Sequence, residues 1–154
     1  MQLRPMTQAE LDAMLPVLKR EYAEDELKSG RRTPEAVHAG IEELFARLLP
    51  AGVDSPGQLL FSGVDDGGAV VGHVWIALPD EQRPQAWVYD IQVDPAHRRR
   101  GHARAMLLAA EQVLLARGID RLGLNVFGHN PGARALYEGL GYATTSVQMS
   151  KELA

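Results

Sequence analysis

The 154-residue sequence predicts a single α/β domain spanning 1–154, with a mixed sheet, partly antiparallel and partly parallel, flanked by helices on both faces. Three observations predict it. The N-terminal third carries two stretches with apolar residues at helical spacing. The middle switches to strand-like runs around the turn signal Asp65-Asp66-Gly67-Gly68. From Gln85 onward strand and helix signals alternate, and strands joined through a helix pair in parallel with a right-handed crossover.

The elements follow in order. Thr7-Gln8-Ala9-Glu10 reads as a capping box, and Leu11, Leu15, Leu18 and Tyr22 then recur at helical spacing, so a helix is expected from Gln8 to about Leu27. Pro16 removes one of its backbone bonds and should kink it, and Gly30 ends it. Thr33-Pro34 starts a second helix, proline being harmless in the first turn. Val37, Ile41, Leu44, Phe45 and Leu48 form its apolar face, and Pro50 with Gly52 stops it. Leu59 to Val64 and Ala69 to Leu78 read as a hairpin about the Asp-Asp-Gly-Gly turn. Gln85 to Val93 is a third strand, broken by Asp94-Pro95. A helix from about His102 to Arg117 follows, with Gly118 as its stop. Leu122, Leu124 and Val126 alternate as a strand, Asn130-Pro131 opens a short helix ending near Leu140, and Tyr142 to Lys151 reads as a closing strand.

Composition excludes several classes of function. There is no cysteine, hence no disulfide scaffold, thiolate metal site or cysteine nucleophile. The start, MQLRPMTQAELD, has no apolar run like that of a signal peptide, and no stretch approaches the roughly 20 apolar residues that span a bilayer. A cytoplasmic protein without a membrane partner is the expectation. The formal net charge of -4 argues against a nucleic-acid binder, which is usually basic overall. The five histidines offer no set of three or four convergent ligands, so no metal is expected. His73 and Trp75 share a strand face, and packing is the expectation for both.

Against that acidic background the basic run from His97 to Arg104 stands out. Val88-Tyr89-Asp90-Ile91-Gln92-Val93 feeds a loop that opens directly into a helix, whose first turn offers unpaired N–H groups and the positive end of its dipole. Gly101 and the small Ala103 let the backbone approach a ligand, and Arg98, Arg99 and Arg100 add charge for phosphate oxygens. Arginines in a loop are often only a solvated surface. The strand–loop–helix context turns this group into a phosphate-binding turn, one without the lysine and Ser/Thr of a P-loop.

Arg98-Arg99-Arg100-Gly101-His102-Ala103 resembles the Q/R-x-x-G-x-G/A signature of the GNAT superfamily, the acetyl-coenzyme A-dependent N-acetyltransferases. A second block, Asn130 to Tyr142 with Ala133, Tyr137 and Gly141, is similar to the family's N-x-x-A-x-x-x-Y-x-x-x-G-F/Y element. The resemblance runs from about Leu59 to the C-terminus, with the N-terminal helices matched in outline. It implies the GNAT fold and direct transfer of an acetyl group to an amine. It also implies that backbone groups of Ile91, Gln92 and Val93 bind the acetyl carbonyl and pantetheine arm, at a point where two parallel strands splay apart. The N–H groups from Arg99 to Arg104, His102 among them, would hold the pyrophosphate, Asn130 would contact the pantetheine arm, and Tyr137 would border the cofactor near the thioester sulfur and protonate the departing thiolate. Taken without that pattern, Tyr137 lies with Leu136 and Leu140 at core spacing.

Attack requires a neutral amine, and an amine of pKa about 10.4 is protonated at pH 7, so a base is needed. Asp90, on the strand lining the acetyl site, is the candidate, with a structural role as the competing reading. Ideal alternation puts Asp90 and Gln92 on one face and Tyr89 and Ile91 on the other. Several relatives, including those acting on protein N-termini, carry a glutamate base where this chain has Asn125, which weakens a protein N-terminus as acceptor; a small-molecule amine is expected before a protein amine. Glu24 and Asp25, at the end of the first helix, either attract a cationic acceptor or form a solvated acidic turn neutralised by Lys28, Arg31 and Arg32. A non-catalytic acyl-coenzyme A sensor of the same fold is the alternative function, and a homodimer is a further expectation from the resemblance.

Overall fold

The computed structural model describes all residues from Met1 to Ala154. Its first element is one the sequence patterning does not signal: Gln2–Pro5 forms strand β1. Four residues are too few for alternation to be read. The strand is fixed instead by its partner, since Gln2 to Pro5 pair antiparallel with Val64 to Phe61.

Helix α1 spans Gln8–Ser29, with the expected capping box: Thr7 Oγ1 accepts from the Glu10 N–H and Glu10 accepts from the Thr7 N–H. Glu10 also takes both terminal nitrogens of Arg4 and the hydroxyl of Ser62, and these donors hold its carboxyl down at about 2. Pro16 sits inside α1, and Gly30 closes the helix in the left-handed conformation at φ 69°. Helix α2, Pro34–Leu48, starts at the Thr33 cap with proline in its first turn. Strands β2 (Gln58–Val64) and β3 (Val70–Ala77) form the hairpin about the Asp65 turn, where Asp65 Oδ1 accepts from the N–H groups of Gly67 and Ala69. Strand β4 (Ala86–Val93), helix α3 (His102–Ala116), strand β5 (Leu122–Leu124) and helix α4 (Pro131–Gly139) complete the chain.

The strand order is β1-β2-β3-β4-β5, antiparallel as far as β4 and parallel between β4 and β5. Helices cover both faces, as expected. Leu11 and Leu18 of α1 and Val37, Ile41 and Phe45 of α2 bury one face against Leu60 and Trp75. Leu107, Ala110 and Leu114 of α3 bury the other against Val74, Ile76 and Val88, with Leu136, Tyr137 and Leu140 of α4 alongside. Side chains of this size each stabilise by about 1.5–3 kcal/mol when fully buried, so the two layers hold β3 and β4 rigidly between them.

One expected element is absent. The stretch from Tyr142 to Lys151 forms no strand, and Val126 lies beyond the end of β5. Instead the chain after α4 passes the Gly30 turn, where Arg31 donates to Gln148 at 2.9 Å. Alternation specifies a strand when one face is buried, whereas Val147 and Met149 are 68% and 87% exposed. The three-residue β5 offers a short edge to pair with.

At Gly72 the backbone of β4 leaves no room for a side chain. A Cβ there would lie 2.1 Å from the backbone oxygen of Gln92. Gly72→Ala is therefore expected to destabilise the fold by about 3 kcal/mol, at the upper end of ordinary overpacking. Chemical denaturation would show it as a lowered midpoint, and an unchanged midpoint would mean that β4 can yield.

Candidate active site

The parallel ladder between β4 and β5 pairs only Ala86 to Val88 with Leu122 to Leu124. Beyond Val88 the two strands have no further pairing, so the stretch Tyr89 to Val93 keeps an open edge on that side. Ile91, Gln92 and Val93, the sequence's candidates for binding an acyl arm through their backbone, lie on this edge.

Opposite, the ladder with β3 carries a bulge. Trp75 pairs with Asp90 and Ile76 with Val88, leaving Tyr89 as the extra residue. A bulge re-aims the side chains around it. Ideal alternation puts Tyr89 with Ile91, and the structure corrects this. Tyr89 packs on Trp75 with ring centroids 4.8 Å apart and belongs to the face covered by α1 and α2, while Ile91 belongs to the α3 face. Asp90 and Gln92 share the α1 face as expected, with Gln92 donating to Glu21 of α1.

Asp90 is held on both sides. Its Oδ2 meets His73 Nε2 at 2.5 Å, and Gln92 Nε2 lies 3.5 Å from Oδ1. The side chains of His73 and Asp90 are 13% and 12% exposed, so this pair is largely shielded from solvent. His73 thus does more than pack. Trp75, expected in the core, is fully buried, and its indole N–H donates to Gln58.

Tyr137, on α4, packs on the α3 side of the sheet. Burial, and secondarily the negative charge of Asp90, push its hydroxyl above the usual tyrosine range, so it keeps its proton throughout neutral pH. A raised tyrosine is suited to giving a proton up only when strong negative charge develops beside it. Its ring also packs edge-on to Tyr142, at 5.9 Å between centroids. The core role and the acid role read from the sequence are therefore compatible.

At the end of β4, Pro95–His97 form a single 3-10 turn and Arg98 Nε donates to the carbonyl of Val93, which ties the basic loop to the strand. Arg99 and Gly101 both have positive φ, 65° and 79°. Gly101 is the N-cap of α3 and supplies no side-chain cap, and the first helical bond reaches back only from Ala105 to Gly101. The N–H groups of His102, Ala103 and Arg104 are left for a ligand, with Arg98, Arg99, Arg100 and Arg104 exposed around them. This arrangement fits an anion such as a pyrophosphate. Asn130 caps α4 by accepting from Ala133 N–H at 3.2 Å, so its first task is structural and only its amide nitrogen is left to meet a ligand.

At the second acidic candidate, Arg31 and Arg32 pair with Glu26 and with neither Glu24 nor Asp25. Asp25 meets His129 at 2.9 Å, while Glu24 remains exposed. His129, stacked on Phe127 at 5.2 Å, joins the end of α1 to the loop before α4. No signal in the sequence singles out this contact, because its partners are 104 residues apart. Tyr22 is likewise read from the sequence only as a core residue, yet its hydroxyl donates to the carbonyl of Tyr89 at the bulge. No group of three or more His, Asp or Glu side chains is arranged to hold a metal ion.

An open strand edge, running into a basic turn and an uncapped helix start, sits on a mixed five-stranded sheet of the GNAT type. The chain belongs to the acetyltransferase (GNAT) family, whose family model matches residues 16–142. It is 36% identical to YycN of Bacillus subtilis (strain 168), described as an uncharacterized N-acetyltransferase, over 98% of this chain and 97% of that protein. A crystal structure of YycN superposes with a TM-score of 0.89 at 35% identity, covering 99% and 98% of the two chains. The mycothiol acetyltransferase of Beutenbergia cavernae is 36% identical over 92% of this chain, which spans 44% of that longer protein.

Proposed function

We propose that the chain transfers an acetyl group from acetyl-coenzyme A directly to the amine of a small molecule. The observation that supports this reading is the open edge of β4, Ile91 to Val93, which leads into the uncapped start of α3. Acetyl-coenzyme A is a substrate here, and the residues present fit it. The N–H groups of His102, Ala103 and Arg104, with the exposed arginines, would take its pyrophosphate, and the β4 edge would take the pantetheine arm and acetyl carbonyl, with the Asn130 amide on the opposite wall.

Asp90 accepts the ammonium proton of the acceptor. The neutral nitrogen then attacks the acetyl carbonyl, the C–S bond breaks, Tyr137 gives its proton to the thiolate, and the extra proton left on the new amide nitrogen passes through solvent to the Tyr137 phenolate. No side chain is acylated, in keeping with the absence of cysteine. His73 and Gln92 hold the Asp90 carboxylate in place throughout. A small-molecule acceptor is supported by Asn125, which lacks basicity where relatives acting on protein N-termini carry glutamate, and by kinship with a protein named for mycothiol, a small molecule. We place the reaction in the cytoplasm, in an enzyme that pairs as a homodimer. No helix is long and apolar enough to cross a membrane.

Asp90→Asn tests the base. Turnover on an accepted amine is expected to fall by about 10²-fold at pH 7, the lower range for a lost general base. Acetyl-coenzyme A affinity should be unchanged. The deficit should narrow as the pH approaches the amine's own pKa, about 10.4 for a lysine-type group, because the acceptor then loses its proton without help. A pH-independent deficit would make Asp90 structural.

A further inference from the structure

Glu21 and Tyr22, neighbours on α1, grip β4 on either side of Asp90. Glu21 accepts from the Gln92 amide, and the Tyr22 hydroxyl donates to the Tyr89 carbonyl. Tyr89 is the residue that the β3–β4 register leaves over, so the Tyr22 bond falls at the bulge itself. A carbonyl in a regular ladder is oriented by its neighbouring strand, but the ladder is locally disrupted at a bulge. Because the peptide is planar, fixing the Tyr89 carbonyl also fixes the Asp90 N–H at the other end of the same unit. The direction of Asp90 and of the open edge that continues through Ile91 to Val93 follows from that unit.

The Tyr22 ring is packed among other aromatic rings. It meets Phe45 edge-on, with centroids 5.7 Å apart at 88°, and Phe45 in turn packs on Trp75 at 5.5 Å. Trp75 stacks on Tyr89, so the aromatic chain from α2 through the sheet returns to the residue that Tyr22 holds. Burial, followed by the charge of Asp90, raises the Tyr22 hydroxyl far above its ordinary range, so it remains a donor at every working pH.

We infer that Tyr22 is a positioning residue for acetyl transfer: its hydrogen bond to the bulge carbonyl sets the orientation of Asp90 and of the β4 edge that receives the acetyl carbonyl. The inference rests on the reading of that edge given above. Nothing in the sequence shows this role, since Tyr22 falls in the apolar register of α1.

The test compares Tyr22→Phe, which keeps the ring and removes the hydroxyl, with Phe45→Leu, which loosens the same packing and leaves the hydroxyl. Each protein is titrated with acetyl-coenzyme A carrying a ¹³C-labelled carbonyl, and the bound carbonyl stretch is read by isotope-edited infrared difference spectroscopy. Tyr22→Phe is expected to bind within about threefold of the unaltered protein, to return the band toward its solution frequency, and to lower turnover about tenfold, the equivalent of one well-placed hydrogen bond. Phe45→Leu is expected to lower the Tm while leaving the band in place. An unmoved band and unchanged turnover in Tyr22→Phe, or the same band shift in both variants, would overturn the inference while leaving the acetyltransferase reading intact. Failure of the unaltered protein to bind acetyl-coenzyme A would overturn that reading and this inference together.

Discussion

Tyr137→Phe lowers turnover by about 10²-fold or more, the range expected when a general acid is removed, while acetyl-coenzyme A affinity changes little. The ring remains in its place beside Tyr142 and among the apolar residues of α3 and α4, so the Tm should move only slightly. The loss belongs to the hydroxyl, which burial and the nearby Asp90 charge keep protonated. For the same reason Tyr137 should produce no fall in rate between neutral pH and its raised pKa. Turnover that survives the substitution at the wild-type level would remove Tyr137 from the acid role and leave it a packing residue.

Gly101→Glu is expected to abolish measurable acetyl-coenzyme A binding. A Cβ at Gly101 meets no atom within 4 Å, so the substitution does not act through a clash inside the fold. It acts in two other ways. The φ of 79° disfavours any L-residue, at roughly 1–2 kcal/mol, and the new carboxylate would lie at the N-terminus of α3 where a pyrophosphate is to sit. Gly101→Ala separates the two, carrying the backbone strain without the charge, and should bind weakly where the glutamate variant does not bind. Tight binding by Gly101→Glu would place the pyrophosphate elsewhere.

What was legible in the sequence was whatever is local. The Thr7–Glu10 capping box, the Thr33-Pro34 start, the Asp65 hairpin turn and the Asn130 cap depend on residues a few positions apart, and each is present as read. The basic turn before α3 is local in the same way, because Gly101 and the arginines are consecutive. The bulge at Tyr89 was not legible. It is a mismatch between two strands, and it moves one aromatic side chain to the face opposite the one alternation assigns. The His73–Asp90 pair and the Tyr22 bond depend on that same cross-strand geometry. At the C-terminus the error ran the other way. The alternating stretch around Val147 and Met149 has strand character, but pairing needs a neighbouring edge as well as a pattern, and the short β5 does not bring one to it.

The role of α1 also emerged only from the fold. As sequence it is an amphipathic helix interrupted by Pro16. In the structure its C-terminal half supplies Glu21 and Tyr22 to β4 and Asp25 to His129, so one helix borders both β4 and the loop before α4.

The central claim is tested most directly by calorimetric titration of the purified protein with acetyl-coenzyme A, followed by thiol release in the presence of a panel of small amines. Saturable binding, with thiol released only when an amine is supplied, is the predicted result. Absence of any acetyl-coenzyme A binding would contradict the account at its foundation.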